Sequence, residues 1–378
     1  MSNTAKLILG IIALMVIAGA IIFYGKNPDE KNNLVEGETL KIGWVGPLTG
    51  QSAAMGEHSS TAVQIAVDEI NAAGGVNGKK IELFVEDDQY SAEKTLSAYR
   101  KLVDLNKVKI ILLQNYTAIF TLAEKAETEG VLLFDVVDCN DRIVASGDNT
   151  VCLGIESESI SRPLADYSEK QGFKKVGIVH FNSDQFFPYV KDVFVEDFDG
   201  QTVVEGYVAG TNDFKTIMTK MVKEDVEAIV LLSYDEGGLA IKQARELGFK
   251  GPFLMAGTVA SPTLQELAQG KAEGTIFTFW NASRDDEMVK KFNTAFAAKK
   301  GHEPFLDFST YPAYDAVRAL AKALSTSKDT SFDGVKSALI SLKEKGLTGD
   351  IDFKEDGGAR VPYSLYELKG GMPTKLVE

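Results

Sequence analysis

The sequence predicts an α/β protein of two doubly wound parallel-sheet lobes, preceded by one apolar helix of membrane-spanning length. Three observations carry this. Short apolar runs alternate with amphipathic helical patterns along the chain, as in strand–helix–strand units of a parallel sheet. The pattern restarts from Ile160 with the same architecture, which gives a second lobe. At the amino end, Leu7 to Tyr24 is a run of 18 residues without a charge, about 27 Å long as a helix.

The run Leu7–Tyr24 has two readings. Ala18-Gly19-Ala20 is a permissible small-residue cleavage site, so it can be a signal peptide that leaves a secreted protein. The apolar stretch continues through Ile21, Ile22, Phe23 and Tyr24, longer than a signal needs, which favours an uncleaved anchor. No cysteine lies near it, which excludes a lipid-modified anchor. Either way the bulk of the chain is extracytoplasmic. Gly25 to Thr39 is polar and without period, a linker, and Leu40 is expected to begin the fold.

The first unit runs from Lys41 to Gln89. Ile42, Trp44 and Val45 form a strand that stops at Gly46-Pro47, and a loop rich in Gly, Ser and Thr follows to about Gly56. Ala62 to Ile70 has helical spacing and ends at Gly74-Gly75, and Ile81, Leu83 and Val85 alternate as a second strand. Open α/β sheets place ligands at the carboxyl ends of strands, and there Thr49, Ser52, Ser59 and Ser60 can hold a polar solute; a loop also uses Gly and Ser simply to turn.

Ser91–Val103 is the next helix, Lys109–Leu113 a strand ending at Gln114 to Thr117, Thr121–Glu129 a helix, Val131–Phe134 a strand ending at Asp135 to Asn140, and Val151–Ile155 a strand. In the second lobe, strands are expected at Lys175–His180, Thr202–Tyr207, Ala228–Leu232, Phe253–Met255 and Thr275–Phe279. Tyr189–Phe198, Phe214–Lys223 and Leu239–Leu247 read as helices between them. Glu287–Lys299, Tyr311–Ser325 and Phe332–Leu342 are amphipathic helices. Asp350–Phe353 and Tyr363–Leu368 read as a hairpin-like pair around Gly357-Gly358.

The chain has 378 residues and a net charge of −14, and no basic patch stands out, so it carries no signal for nucleic-acid binding. Enzyme signatures are absent. There are three histidines (His58, His180, His302) without metal spacing, no G-x-S-x-G elbow and no G-x-G-x-x-G after the first strand. Gly74 to Lys80 follows a helix and lacks the spacing of a phosphate loop. No cofactor or metal is expected.

Cys139 and Cys152 are the two cysteines. In an exported domain an isolated close pair reads as a disulfide, worth about 3 kcal/mol in the chain-entropy model; two buried free thiols are the alternative.

The segments GPLTG (Gly46–Gly50), INAAGGVNGKKIEL (Ile70–Leu83) and DDQ (Asp87–Gln89) resemble the start of periplasmic binding proteins of the branched-chain amino acid class. The resemblance continues more weakly to about Leu368. It implies the substrate-binding component of an ABC importer, a monomer that closes two lobes over a small solute and is read by permease subunits. A sensor ectodomain or scavenger of the same fold is the alternative. It also implies that the terminal helices return to the first lobe and the last strands to the second. Lobe 1 is then 40–155 with 284–348 and lobe 2 is 156–283 with 349–378, joined by a three-crossing hinge near Glu156, Ala282 and Gly349.

The expected ligand-binding residues are Ser52, Met55, Tyr116, Thr117, Val137 and Asp138 from the first lobe and Phe186, Tyr234, Asp235 and Thr258 from the second. By resemblance, Tyr116-Thr117 falls where an α-carboxylate is held, and Phe186 and Tyr234 match two aromatic walls, although either ring can simply cap a strand. As loop residues of an open cleft, Thr117 and Tyr234 are expected to matter for binding and little for stability. The acid that pairs with a ligand ammonium in the family falls at Gly257-Thr258 here, and Met55 replaces an aromatic residue. An amino acid would then need Asp138 or Asp235 as counter-charge. If neither faces the cleft, the solute is a neutral or anionic amide or carboxylic acid.

Overall fold

The computed structural model describes residues 33–376, except 36, 51 and 281–283. The run Leu7–Tyr24, most of the linker and the expected crossing at Ala282 lie outside the described residues. Among the described residues no helix is long and apolar enough to cross a membrane.

The first lobe is built on strands β1 (Leu40–Gly46), β2 (Ile81–Asp87), β3 (Ile110–Leu113), β4 (Leu132–Asp135), β5 (Asp138–Cys139) and β6 (Thr150–Glu156). The second begins with β7 (Lys175–Phe181), β8 (Gln201–Tyr207), β9 (Ala228–Leu232), β10 (Phe253–Met255) and β11 (Ile276–Trp280). The chain then adds β12 (Glu344–Gly346), β13 (Gly349–Ile351), β14 (Gly358–Val361), β15 (Tyr363–Lys369) and β16 (Met372–Lys375). The first sheet runs β14-β6-β4-β3-β1-β2 with β5 beside β6, and the second β16-β15-β11-β10-β9-β7-β8.

The pairings of the first sheet are parallel, and those of the second are parallel except where β15 and β16 join its edge. β3, β4, β9 and β10 are buried along their whole length because helices cover both faces, which is why their sequences are unbroken apolar runs. Strand order reverses between β1 and β3 in one lobe and between β7 and β9 in the other. Both reversals open a crevice at the carboxyl strand ends, and the two crevices face each other.

Several helices begin earlier than their apolar periodicity shows. The first spans Ala53–Ala72, so Met55 and Ser59 are helical and not in a loop. A Cβ on Gly56 would stand 1.7 Å from the Pro47 carbonyl oxygen, so only glycine lets this helix close onto the end of β1. Tyr116 and Phe186 each open a helix, Tyr116–Glu129 and Phe186–Asp197. The first turns at Met55 and Phe186 point at the cleft and that at Tyr116 at the other lobe, and they carry no 3.6-residue apolar repeat.

Two expectations about the carboxyl end are corrected. β14 pairs in parallel with β6, so the chain stays with the first lobe through Val361, and the third crossing lies at Pro362 and not near Gly349. The expected hairpin of 350–353 with 363–368 does not form. β13 pairs instead with β12, and β15 with β11 and β16. Packing also begins before Leu40. Leu34 is 3% exposed, and its N–H donates to the Thr330 carbonyl at 2.8 Å.

The sulfurs of Cys139 and Cys152 are joined across β5 and β6, with Cα atoms 5.2 Å apart and a sequence separation of 13. Gly154 allows the close approach, since a Cβ there would lie 2.1 Å from the Val137 carbonyl oxygen. The bond fixes β5, and with it Asp138, at the mouth of the first crevice. Replacing both cysteines by alanine is expected to lower stability by about 3 kcal/mol in urea unfolding; an unchanged midpoint would show that β5 is held without the bond.

Candidate functional site

The facing crevices enclose a narrow, mostly apolar cleft between the two lobes, the kind of place in which small-molecule sites form. Of the expected residues, Met55, Val137, Asp138, Phe186, Tyr234 and Thr258 line it. Ser52 and Asp235 line a small adjoining recess, together with Met55, Tyr234 and Thr258.

Tyr116 and Thr117 do not line the cleft. The Tyr116 ring packs edge-on against Phe186 of the other lobe at 5.3 Å, and its hydroxyl accepts from Asn140 Nδ2 at 3.2 Å. Thr117 Oγ1 accepts the Gln185 N–H at 3.0 Å, across the lobes. These two residues therefore seam the closed lobes together behind the cavity.

The early hydroxyl candidates are also committed elsewhere. Thr49 donates to Asp87 Oδ2 at 2.6 Å, Ser59 accepts from Trp44 Nε1 at 3.1 Å, and Ser60 donates to the Glu57 carbonyl at 3.2 Å. The bland reading of the Gly/Ser-rich loop holds for them.

Tyr90, Phe187, Phe308 and Tyr363 also line the cleft and were not legible as site residues. Tyr90 has φ +58°, a left-handed conformation that a bulky residue seldom adopts. Asp88 enforces it, accepting the Tyr90 N–H on Oδ1 at 2.8 Å while Oδ2 accepts from Thr95 Oγ1 at 2.7 Å and Asn115 Nδ2 at 2.9 Å. The Asp87-Asp88 pair thus has a structural task, with Asp87 tying down the loop after β1 and Asp88 aiming Tyr90 at the cleft.

Across the cleft, Tyr90 and Tyr234 meet edge-on at 5.8 Å, and Tyr234 packs against Phe181 at 5.4 Å and Phe187 at 5.0 Å. The Tyr234 hydroxyl donates to Asp184 Oδ2 at 2.9 Å. Asp184 Oδ1 accepts the Phe186 N–H at 3.0 Å, so this acid orders the turn that presents Phe186.

Three carboxyl groups converge here. Burial pushes Asp135 up to about 7, against two backbone N–H donors from Asp138 and Val137 that favour its charge. Burial also pushes Asp184 up to about 6, against the Tyr234 hydroxyl. Asp138 is pushed well above the usual carboxylate range by burial first and then by the charges of Asp135 and Asp184.

In the unfolded chain these groups ionise near ~4. Between that value and their raised folded values the native state holds more protons, so stability is full at low pH and is lost as pH rises through the window. Melting of the ligand-free protein is therefore expected to shift downward from pH 5 to pH 8, and Asp135→Asn to flatten the slope. A rising melting temperature over that window would contradict the arrangement. Among the described residues no group of three His, Cys, Asp or Glu is placed to hold a metal ion.

A sequence model of the family described as periplasmic binding protein matches residues 39–372. The Leu/Ile/Val-binding protein homolog 2 of Brucella abortus is 30% identical over 360 residues, covering 89% of this chain and 92% of its own. The leucine-, isoleucine-, valine-, threonine- and alanine-binding protein of Pseudomonas aeruginosa is 27% identical over 344 residues, covering 87% and 90%. Among solved structures, the branched-chain amino acid transporter substrate binding protein LivJ from Streptococcus pneumoniae, in complex with isoleucine, superposes with a TM-score of 0.79 at 28% identity over 89% of this chain and 97% of that one.

Proposed function

Because this chain belongs to the periplasmic binding protein family, as an extracytoplasmic solute-binding receptor of an ABC importer and not an enzyme, we propose that it captures one small solute with an apolar body between its lobes and presents the closed form to a permease. The observation that carries this is a single cavity lined from both sides. Met55, Val137 and Asp138 come from one lobe, and Phe186, Tyr234 and Thr258 from the other. These six are the proposed ligand contacts, with Ser52 and Asp235 beside them. A ligand that touches both sets stabilises the closed arrangement over an open one by the full value of the second set, which is what couples binding to closure.

The Thr117–Gln185 hydrogen bond adds to the closed state without touching the solute. The receptor is proposed to work as a monomer, a reading supported by one chain's supplying both walls. The relatives' names point to solutes of amino-acid size. The test is mass spectrometry of the natively purified protein before and after denaturation. One small molecule released in about equimolar amount is expected; a protein that carries nothing and binds none of the solutes offered to it would count against the reading.

We further propose that Leu7–Tyr24 stays on as an anchor. Its support is the uncharged run of 18 residues together with the short link to Asn33, eight residues that reach at most about 29 Å. Intact mass of the mature protein tests this, and a new amino terminus at Ile21 would refute it.

A further inference from the structure

We propose that Arg142 of the first lobe and Tyr189 of the second form a clamp outside the cavity that holds part of the receptor closed before any solute arrives; this deepens the receptor reading and rests on its two moving lobes. The guanidinium carbon of Arg142 stands 5.0 Å from the centre of the Tyr189 ring and 5.1 Å from that of the Phe120 ring. Phe120 lies on the helix Tyr116–Glu129 and Tyr189 on Phe186–Asp197, so one cation serves a ring on each side of the seam. None of the three lines the cleft.

Each jaw is set by its own lobe. Arg142 lies on a short helix, Asp141–Val144, capped by Asn140, whose Oδ1 accepts the Ile143 N–H at 3.0 Å. Asn140 is fully buried and follows the disulfide-bonded Cys139. Its Nδ2 donates to the Tyr116 hydroxyl at 3.2 Å and to Ser157 Oγ at 3.0 Å. On the other side the Tyr189 hydroxyl donates to Glu158, which leaves the ring face to the arginine. Among the described residues no carboxylate stands in ion-pair range of Arg142, whereas Arg284 and Arg360 each have one. Opening the lobes takes the Tyr189 ring from the guanidinium, a loss confined to that step.

Three further contacts cross the same seam. The Tyr116 ring meets Phe186 at 5.3 Å and stacks on Tyr189 at 6.4 Å, and Thr117 accepts from Gln185. Contacts of these kinds each favour the arrangement that makes them about two- to fivefold. One closure makes all four, so the factors multiply to about tenfold or more. A solute that selects the closed form binds in proportion to the fraction already closed. Weakening the clamp therefore weakens every solute by one common factor, and selectivity stays with the cavity.

The test is pulsed electron–electron resonance on the full chain stripped of solute, with spin labels on Lys94→Cys and Thr216→Cys. Both positions are exposed, one on the helix Ala92–Arg100 after β2 and one on Lys215–Lys223 after β8, and neither lines the cleft. Two label distances are expected, the shorter equal to that of the natively purified, solute-loaded protein. Arg142→Met keeps an apolar stem and removes the charge, and it is expected to lower the shorter population about threefold or more. Tyr189→Leu is expected to do likewise, and the double variant to lose less than the product of the two, since both remove one shared contact. Arg142 is exposed, so its variant is expected to keep its melting temperature.

A single long distance in the stripped protein, or a shorter population unchanged in Arg142→Met, overturns the clamp and leaves the receptor reading standing. Losses that multiply fully in the double variant overturn the pairing of Arg142 with Tyr189. A single distance that is the same before and after stripping shows lobes that do not part, and overturns both readings.

Discussion

Tyr234→Ala is expected to abolish measurable solute binding and to lower stability by about 3–5 kcal/mol, the ordinary cost of emptying a buried aromatic site. The residue is 5% exposed and packs its ring against Phe181, Phe187 and Tyr90. Its hydroxyl is a donor to Asp184, which the loss leaves buried with one oxygen unpaired. This departs from the expectation that Tyr234, as a loop residue of an open cleft, carries little core packing. Tyr234→Phe separates the two roles. It keeps the ring and removes only the hydroxyl, so about 1–3 kcal/mol of stability is lost, while the aromatic wall persists and binding survives. Urea unfolding and calorimetry on both variants check this; full stability in Tyr234→Ala would show that the closed cleft does not pack this ring.

Asp315→Ala is expected to cost about 3 kcal/mol or more, because three donors lose one fully buried acceptor at a typical 1–3 kcal/mol each. Asp315 Oδ1 accepts the Leu347 N–H at 2.9 Å, and Oδ2 accepts the Thr348 N–H and Thr348 Oγ1, each at 2.7 Å. The acid lies on the buried helix Asp307–Thr326 and closes the turn between β12 and β13. Gly346 makes room for it, since a Cβ there would stand 2.3 Å from Asp315 Oδ2. Asp315→Asn keeps one acceptor oxygen and is expected to recover about half of the loss. A change below about 1 kcal/mol in the alanine variant would mean that water replaces the carboxylate in the turn.

The sheet strands were legible because their sequences carry a physical signal. Ile110–Leu113 and Ala228–Leu232 are apolar throughout, as strands covered on both faces must be. Met55, Val137, Asp138, Phe186, Tyr234 and Thr258, which line the cleft, were legible from their places after the carboxyl ends of strands, with Phe186 and Tyr234 also marked by the family resemblance. Tyr90 and Asp184 were not. Tyr90 reaches the cleft only through its left-handed backbone, and Asp184 matters through a partner 50 positions away in sequence, Tyr234. Thr117 was assigned the wrong partner because a hydroxyl at a strand end serves a solute or a second lobe equally well. The late crossing at Pro362 escaped notice because β14, Gly-Ala-Arg-Val, is only four residues long and too short to show an apolar repeat.

One solute that bridges both lobes holds them closed, and small-angle X-ray scattering of the protein stripped of solute and then resupplied with the molecule it releases reads this directly. The stripped protein is expected to have the larger radius of gyration and to return to the compact value on binding. Identical scattering curves in the two states, with binding verified by calorimetry in the same samples, would contradict it.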